Sequence, residues 1–275
     1  MVSEKVGLFA SKKDFSVIAF DQIQAMGYRP LVFSFIEKSF PGYSEEIVLE
    51  FGDIETFVNV LKKHGVKKLV FAGKIEASDL FTKKIAMSGA KFLSATGNLS
   101  PENILKKLCE FLSSHDIEIL PLTEVFKNYL VEEKIYTNVK PDCVQWKDIL
   151  KGWDTAKSIA DLGIGQAVAI KNGMIISVEG IEGTDRMIER AGQFCKNFVV
   201  VKVIKSNQDN RFDLPTIGPE TMRILVNSGG KVITLEAGRT IMIKQDQTVQ
   251  IANEHDLIIV GFRGKEIDND CERKS

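Results

Sequence analysis

Apolar residues in the first half of the chain come in short runs separated by helical spacings. Val6-Gly7-Leu8-Phe9-Ala10 reads as a buried strand, and Ile18, Ile23 and Met26 predict a helix that stops at Gly27 before a second strand from Leu31 to Ile36. Ile47 to Phe51 predicts another strand. Asp53 can then cap a helix in which Ile54, Phe57, Val58 and Leu61 share one face and Gly65 closes the last turn. Lys68 to Phe71 is a further strand running into Ala72-Gly73-Lys74, and Ile104, Leu105, Leu108 and Phe111 mark a helix leading to the strand Ile117 to Leu120. This alternation predicts an α/β fold whose first domain is a Rossmann-like parallel sheet.

The pattern lapses over residues 131 to 145, which are charged and polar and contain Pro141, so the domain boundary is placed there: 1–134 and 135–263. Beyond it, a helix from about Trp146 to Leu162 ends at Gly163. Gln166 to Ile170 and Met174 to Val178 flank Asn172-Gly173, a hairpin signal. Strands are expected at Phe198 to Val203, Val232 to Leu235, Ile241 to Ile243 and Leu257 to Val260, with helices near Asp185 to Phe194 and Pro219 to Val226. The second domain is therefore mixed α/β, and residues 264–275 form a charged tail expected to be disordered.

Charge narrows the range of partners. Lys and Arg total 36 against 37 Asp and Glu, a net charge of -1, so no broad basic field points to nucleic acid, and any anion site must be local. Cys109, Cys143, Cys195 and Cys271 are scattered, and His64, His115 and His255 form no close pair. A metal, if used, should be Mg²⁺ or Mn²⁺ held by carboxylates. The chain starts without the apolar run of a signal peptide and has no stretch of 18 apolar residues, which suits a cytoplasmic protein.

Three polar clusters interrupt the apolar pattern at predicted strand ends. Glu182-Gly183-Thr184-Asp185 could present oxygens to a cation, or Thr184 could simply cap the following helix. Lys202 and Lys205 precede Gln208-Asp209-Asn210-Arg211-Phe212-Asp213-Leu214-Pro215. There Asp209, Arg211 and Asp213 alternate onto one face if the stretch is extended, a grouping able to bind metal and phosphate together, or else a solvated turn. Glu236-Ala237-Gly238-Arg239 is a hairpin turn or a phosphate clamp. Gly73-Lys74 follows a strand but lacks the spacing of a P-loop, and residues 80 to 93 mix apolar bulk with Lys83, Lys84 and Lys91, as an interfacial or a core helix would.

Taken in order, Asp161-Leu162-Gly163-Ile164-Gly165-Gln166-Ala167-Val168, Glu182-Gly183-Thr184-Asp185, Lys202, Gln208-Asp209, Arg211-Phe212-Asp213-Leu214-Pro215-Thr216-Ile217-Gly218 and Glu236-Ala237-Gly238-Arg239 resemble the LpxI-type UDP-2,3-diacylglucosamine pyrophosphatases. The family's glycine-rich turn after the first strand is replaced here by Ser11-Lys12-Lys13-Asp14. The resemblance implies a cytoplasmic, Mg²⁺-dependent hydrolase that yields UMP and 2,3-diacylglucosamine 1-phosphate (lipid X) in lipid A synthesis. It implies a homodimer that binds no nucleic acid and touches the inner membrane peripherally. On the matching positions it implies Asp213 as principal catalytic and metal-binding carboxylate, with Asp209, Asp185 and Glu182 as further ligands or water positioners. Lys202, Arg211 and Arg239 would neutralise phosphate, and Thr184, Gln208, Gln166, Gly73 and Lys74 would contact substrate. Two other readings remain at this point: a metal-dependent phosphohydrolase of another nucleotide sugar, and a non-catalytic nucleotide-sugar-binding protein.

Overall fold

The computed structural model describes residues 3–10, 14–35, 40, 43, 45–72, 85–97, 101–211 and 214–264. The chain divides into two compact units. One is formed by residues up to Lys127 together with Asn210 and Arg211, and the other by the remainder from Asn128 onward. Residues 128–134, assigned from sequence to the first domain, thus pack with the second. Their backbone explains this: Val131 N–H donates to Thr240 O at 2.8 Å and Gly261 N–H to Lys134 O at 2.8 Å.

The first unit is built on β1 (Lys5–Ala10), α1 (Asp14–Ala25), β2 (Arg29–Phe35), β3 (Ile47–Leu49), α2 (Ile54–Lys63), β4 (Lys68–Ala72), α3 (Met87–Thr96), α4 (Pro101–Ser113), β5 (Glu118–Ile119) and α5 (Leu122–Val125). Its five strands are parallel in the order β3-β2-β1-β4-β5, a doubly wound arrangement. Asp53 caps α2 as expected, accepting the Thr56 N–H at 3.1 Å. Phe9, Phe33, Phe57 and Phe71 are core residues, with Phe33 and Phe57 meeting edge to face at 5.3 Å. Within the 80 to 93 segment, residues 80–84, including Lys83 and Lys84, lie outside the described residues, as does the tail from 265.

The second unit contains α6 (Cys143–Asp161), β6 (Ala167–Lys171), β7 (Met174–Val178), α7 (Thr184–Phe194), β8 (Val199–Lys202), β9 (Thr216–Ile217), α8 (Pro219–Ser228), β10 (Val232–Glu236), β11 (Ile241–Met242), α9 (Gln245–Glu254) and β12 (Ile258–Phe262). α6 starts three residues before the expected Trp146 because Asp142 and Gln145 close a capping box. The main sheet runs β12-β10-β8-β6-β7, with β12, β10 and β8 parallel and β6 reversed between β8 and β7. β9 and β11 form a small parallel pair of their own. The Asn172-Gly173 hairpin is present, with φ of 49° and 76°, and Asp148 on α6 holds it through both carboxylate oxygens, 2.8 Å from Asn172 N and 2.6 Å from Gly173 N. Ile149, Trp153 and Ala156 of α6 cover one face of the sheet together with Val168, Val199 and Val201. Met187 and Ile188 of α7, Met222 and Leu225 of α8 and Ala252 of α9 pack with Ile233 and Leu235 on the other side. β7, β8 and β10 therefore end, and β6 begins, at one edge of the sheet, where α/β proteins place their ligands.

Candidate active site

Lys202 is the last residue of β8 and is 9% exposed. The register pairs it with Ala167 of β6 and Leu235 of β10, so it stands in the middle of that edge. A buried ammonium needs acceptors. One is the Thr184 hydroxyl, 2.7 Å from Lys202 Nζ. Thr184 is the first residue of α7 and does not cap it. The cap is Gly183, at φ 83°, and the Thr184 hydroxyl donates instead to Glu179 Oε1 at 2.8 Å.

Glu179 follows β7. Its other oxygen accepts the Gln166 N–H at 2.9 Å, and its own N–H donates to Ala167 O at 2.9 Å. Gly165 makes this approach feasible: a Cβ there would lie 2.2 Å from the Glu179 carbonyl oxygen, a clash with backbone. Gln166 thus enters the site through its main chain. Asp185, next on α7, has its pKa raised mainly by the protein packed around it and further by Glu220, Glu189 and Glu179, while Lys202 pulls it down. That opposing pull brings Asp185 and Lys202 into one electrostatic group.

Glu182 faces elsewhere. Its carboxylate pairs with Arg190 on α7, and Arg190 also donates to Val178 O at 2.7 Å. Its own backbone N–H and Arg190 hold its carboxyl below the usual range. The 179–184 loop is therefore stapled to α7 through Glu182.

The loop after β8, which carries Lys205, Gln208 and Asp209, is braced from two sides. Buried Glu236, at the end of β10, accepts Ile204 N–H at 2.8 Å and Lys157 Nζ at 2.7 Å, and Lys157 also donates to Ile204 O at 2.9 Å. Arg239 lies 3.6 Å from Glu236 Oε1 and donates to Lys205 O at 3.4 Å, so the Glu236-Ala237-Gly238-Arg239 turn is tied to the same loop. Gln208 closes that loop, its N–H 3.1 Å from Lys205 O. On the other side Asp161, at the end of α6, takes both the N–H and the hydroxyl of Ser206 at 2.8 Å.

The two Ser206 bonds hold the Asp161 carboxyl below its usual range, with Lys157 and Lys205 adding to the effect. A lowered folded-state pKa gives stability that is present above the unfolded value of about 3.9 and disappears as pH falls through the folded one. An Asp161→Asn protein is therefore expected to unfold at lower urea than wild type at neutral pH, with the two midpoints converging at an acidic pH below the folded-state value. Equal separation at both pH values would disprove the assignment.

Other expected site residues are not described or belong to the first unit. Asp213, Gly73 and Lys74 lie outside the described residues. Asn210 and Arg211 pack with the first unit, where Asn210 O accepts Leu122 N–H at 2.9 Å and Arg211 helps to lower the pKa of Glu110. Among the described residues no three carboxylates, histidines or cysteines gather as a metal cluster. Glu179 and Lys157 have no site role in the sequence reading, and Glu236 and Asp161 stand there within motifs but without the bracing roles that Lys157, Ile204 and Ser206 give them. The available signal was a polar residue closing an apolar strand, as in Ser177-Val178-Glu179 and Thr234-Leu235-Glu236.

Fold and site define a two-unit α/β protein that gathers buried cationic and carboxylate groups at the carboxyl edge of its second sheet. The chain belongs to the LpxI family: the LpxI N-terminal domain matches residues 5–129 and the LpxI C-terminal domain residues 132–260. It is 27% identical over 229 residues to the UDP-2,3-diacylglucosamine pyrophosphatase LpxI of Caulobacter vibrioides, covering 79% of this chain and 81% of that one. Among solved structures, N5-carboxyaminoimidazole ribonucleotide synthetase from Thermotoga maritima is similar over 65% of this chain and 42% of that one, at 16% identity and a TM-score of 0.23. An N-terminal ketoreductase of the macrolactin assembly line is similar over 95% and 54%, at 8% identity and a TM-score of 0.25.

Proposed function

We propose that this chain is a UDP-2,3-diacylglucosamine pyrophosphatase that hydrolyses the pyrophosphate bond to give UMP and 2,3-diacylglucosamine 1-phosphate in lipid A synthesis, as a cytoplasmic homodimer. The observation that carries this is the match of both LpxI domains, whose C-terminal part spans Gln166, Thr184, Lys202 and Arg239.

In this reading Lys202 and Arg239 offset the charge of the diphosphate, and Thr184 and Gln208 hydrogen-bond the substrate. Asp209 orients water, whose oxygen forms the new P–O bond as the bridging P–O bond breaks. The available donors are carboxylates and a hydroxyl, which suits a hard divalent cation better than a soft one. Asp213 and Asp185 are the proposed holders of Mg²⁺, while Glu182 is committed to Arg190. When bound, the cation would neutralise and polarise the phosphoryl oxygens. The lipid-linked substrate brings the enzyme to the membrane surface, and among the described residues no helix is long and apolar enough to cross a bilayer.

The test is incubation with UDP-2,3-diacylglucosamine with and without Mg²⁺. UMP is expected only with the cation. Equal turnover of UDP-N-acetylglucosamine would replace the lipid substrate by a soluble nucleotide sugar, and tight binding without UMP release would make the protein a non-catalytic binder.

A further inference from the structure

We propose that Glu179 is a positioning residue for this hydrolysis, directing the Lys202 ammonium at the diphosphate through the Thr184 hydroxyl; the inference rests on the reading of Lys202 as a phosphate-binding cation. The polarity of the relay follows from valence. An ammonium can only donate, so at 2.7 Å the Thr184 oxygen must accept from Lys202. Its single proton is then committed to Glu179 Oε1, 2.8 Å away. Glu179 cannot drift, because Oε2 is held by Gln166 N–H at 2.9 Å and its backbone N–H by Ala167 O at 2.9 Å. Gly165 leaves room for that backbone where any side chain would collide.

The relay matters because of what lysine lacks. Its four-carbon stem is flexible and its charge is a point with no fixed fork, so pre-organisation must come from neighbours. Burial of both Lys202 and Thr184 at 9% exposure restricts the stem, and the relay fixes one of its three N–H directions. Displacement of such a group by about 1 Å costs about 10²-fold in rate.

The test is a cycle among Glu179→Gln, Thr184→Val and Lys202→Met, read by kcat and KM for UMP release and, independently of turnover, by calorimetric binding of inorganic pyrophosphate. The Gln amide has one acceptor where Glu179 uses two, so either Thr184 or Gln166 meets a donor. Glu179→Gln and Thr184→Val are each expected to lower kcat about 10- to 100-fold with KM within about threefold. Neither should lower it further in the Lys202→Met background, and Thr184→Ser should recover most of what Thr184→Val loses. Pyrophosphate affinity should follow the same non-additive pattern. A loss of equal factor with and without Lys202 would make Glu179 structural only, and unchanged kcat and pyrophosphate binding would overturn the relay. A wild-type protein that binds pyrophosphate with this coupling but releases no UMP would retain the relay and refute the proposed reaction.

Discussion

A Lys202→Met enzyme is expected to release UMP about 10²- to 10³-fold more slowly than wild type at saturating substrate, while remaining folded. The magnitude is that of deleting one pre-organised charge from a water-poor site, and Lys202 meets that description at 9% exposure on the last residue of a buried strand. Met nearly conserves the volume of the stem between β6 and β10, so packing is preserved. Glu179 keeps both of its donors, the Thr184 hydroxyl and the Gln166 N–H, after the change. Steady-state assays and thermal unfolding of the same preparation separate the two effects. A rate within about threefold of wild type would remove Lys202 from the chemistry.

The second large effect concerns Asp213. Asp213→Ala is expected to reduce UMP release by about 10³-fold or more, and Asp209→Ala by less. The reason is the run Arg211-Phe212-Asp213-Leu214-Pro215, which follows the braced 204–209 loop after Asn210. Leu214 is buried and the next residues enter β9, so the chain on the far side of Asp213 is also anchored. Asp209 directly follows the turn closed by Gln208 and Lys205, and its proposed part is to orient water. Side-by-side assays of the two variants decide the order. An inactive Asp209→Ala beside an active Asp213→Ala would reverse the roles.

The sequence displays this fold where one local force acts alone. Asn172-Gly173 marks its hairpin because both residues must adopt positive φ, and Asp53 marks α2 because a carboxylate before an amphipathic run has an obvious N–H to accept. α9 is not announced, because its polar sequence contributes only Thr248 and Ala252 as buried residues and its cap is Lys244 in a left-handed conformation. At the site, Thr184, Lys202 and Arg239 are legible as polar groups breaking apolar strands. Their supports are not, since Glu236 meets Lys157 from 79 residues away and Asp161 meets Ser206 from 45. Glu182 shows the opposite difficulty. Two carboxylates beside a glycine suggest a cation, but one of them is nearer to Arg190, which only the helix brings round.

The reversed strand β6 has a practical consequence for handling the protein. Its five residues span about 17 Å, so the Asn172-Gly173 turn emerges at the edge opposite Gln166. A fluorescent or affinity insert in that turn would interrupt none of the loops that hold Glu179, Lys202 or Glu236. The two bonds from Asp148 are what such an insert would have to leave intact.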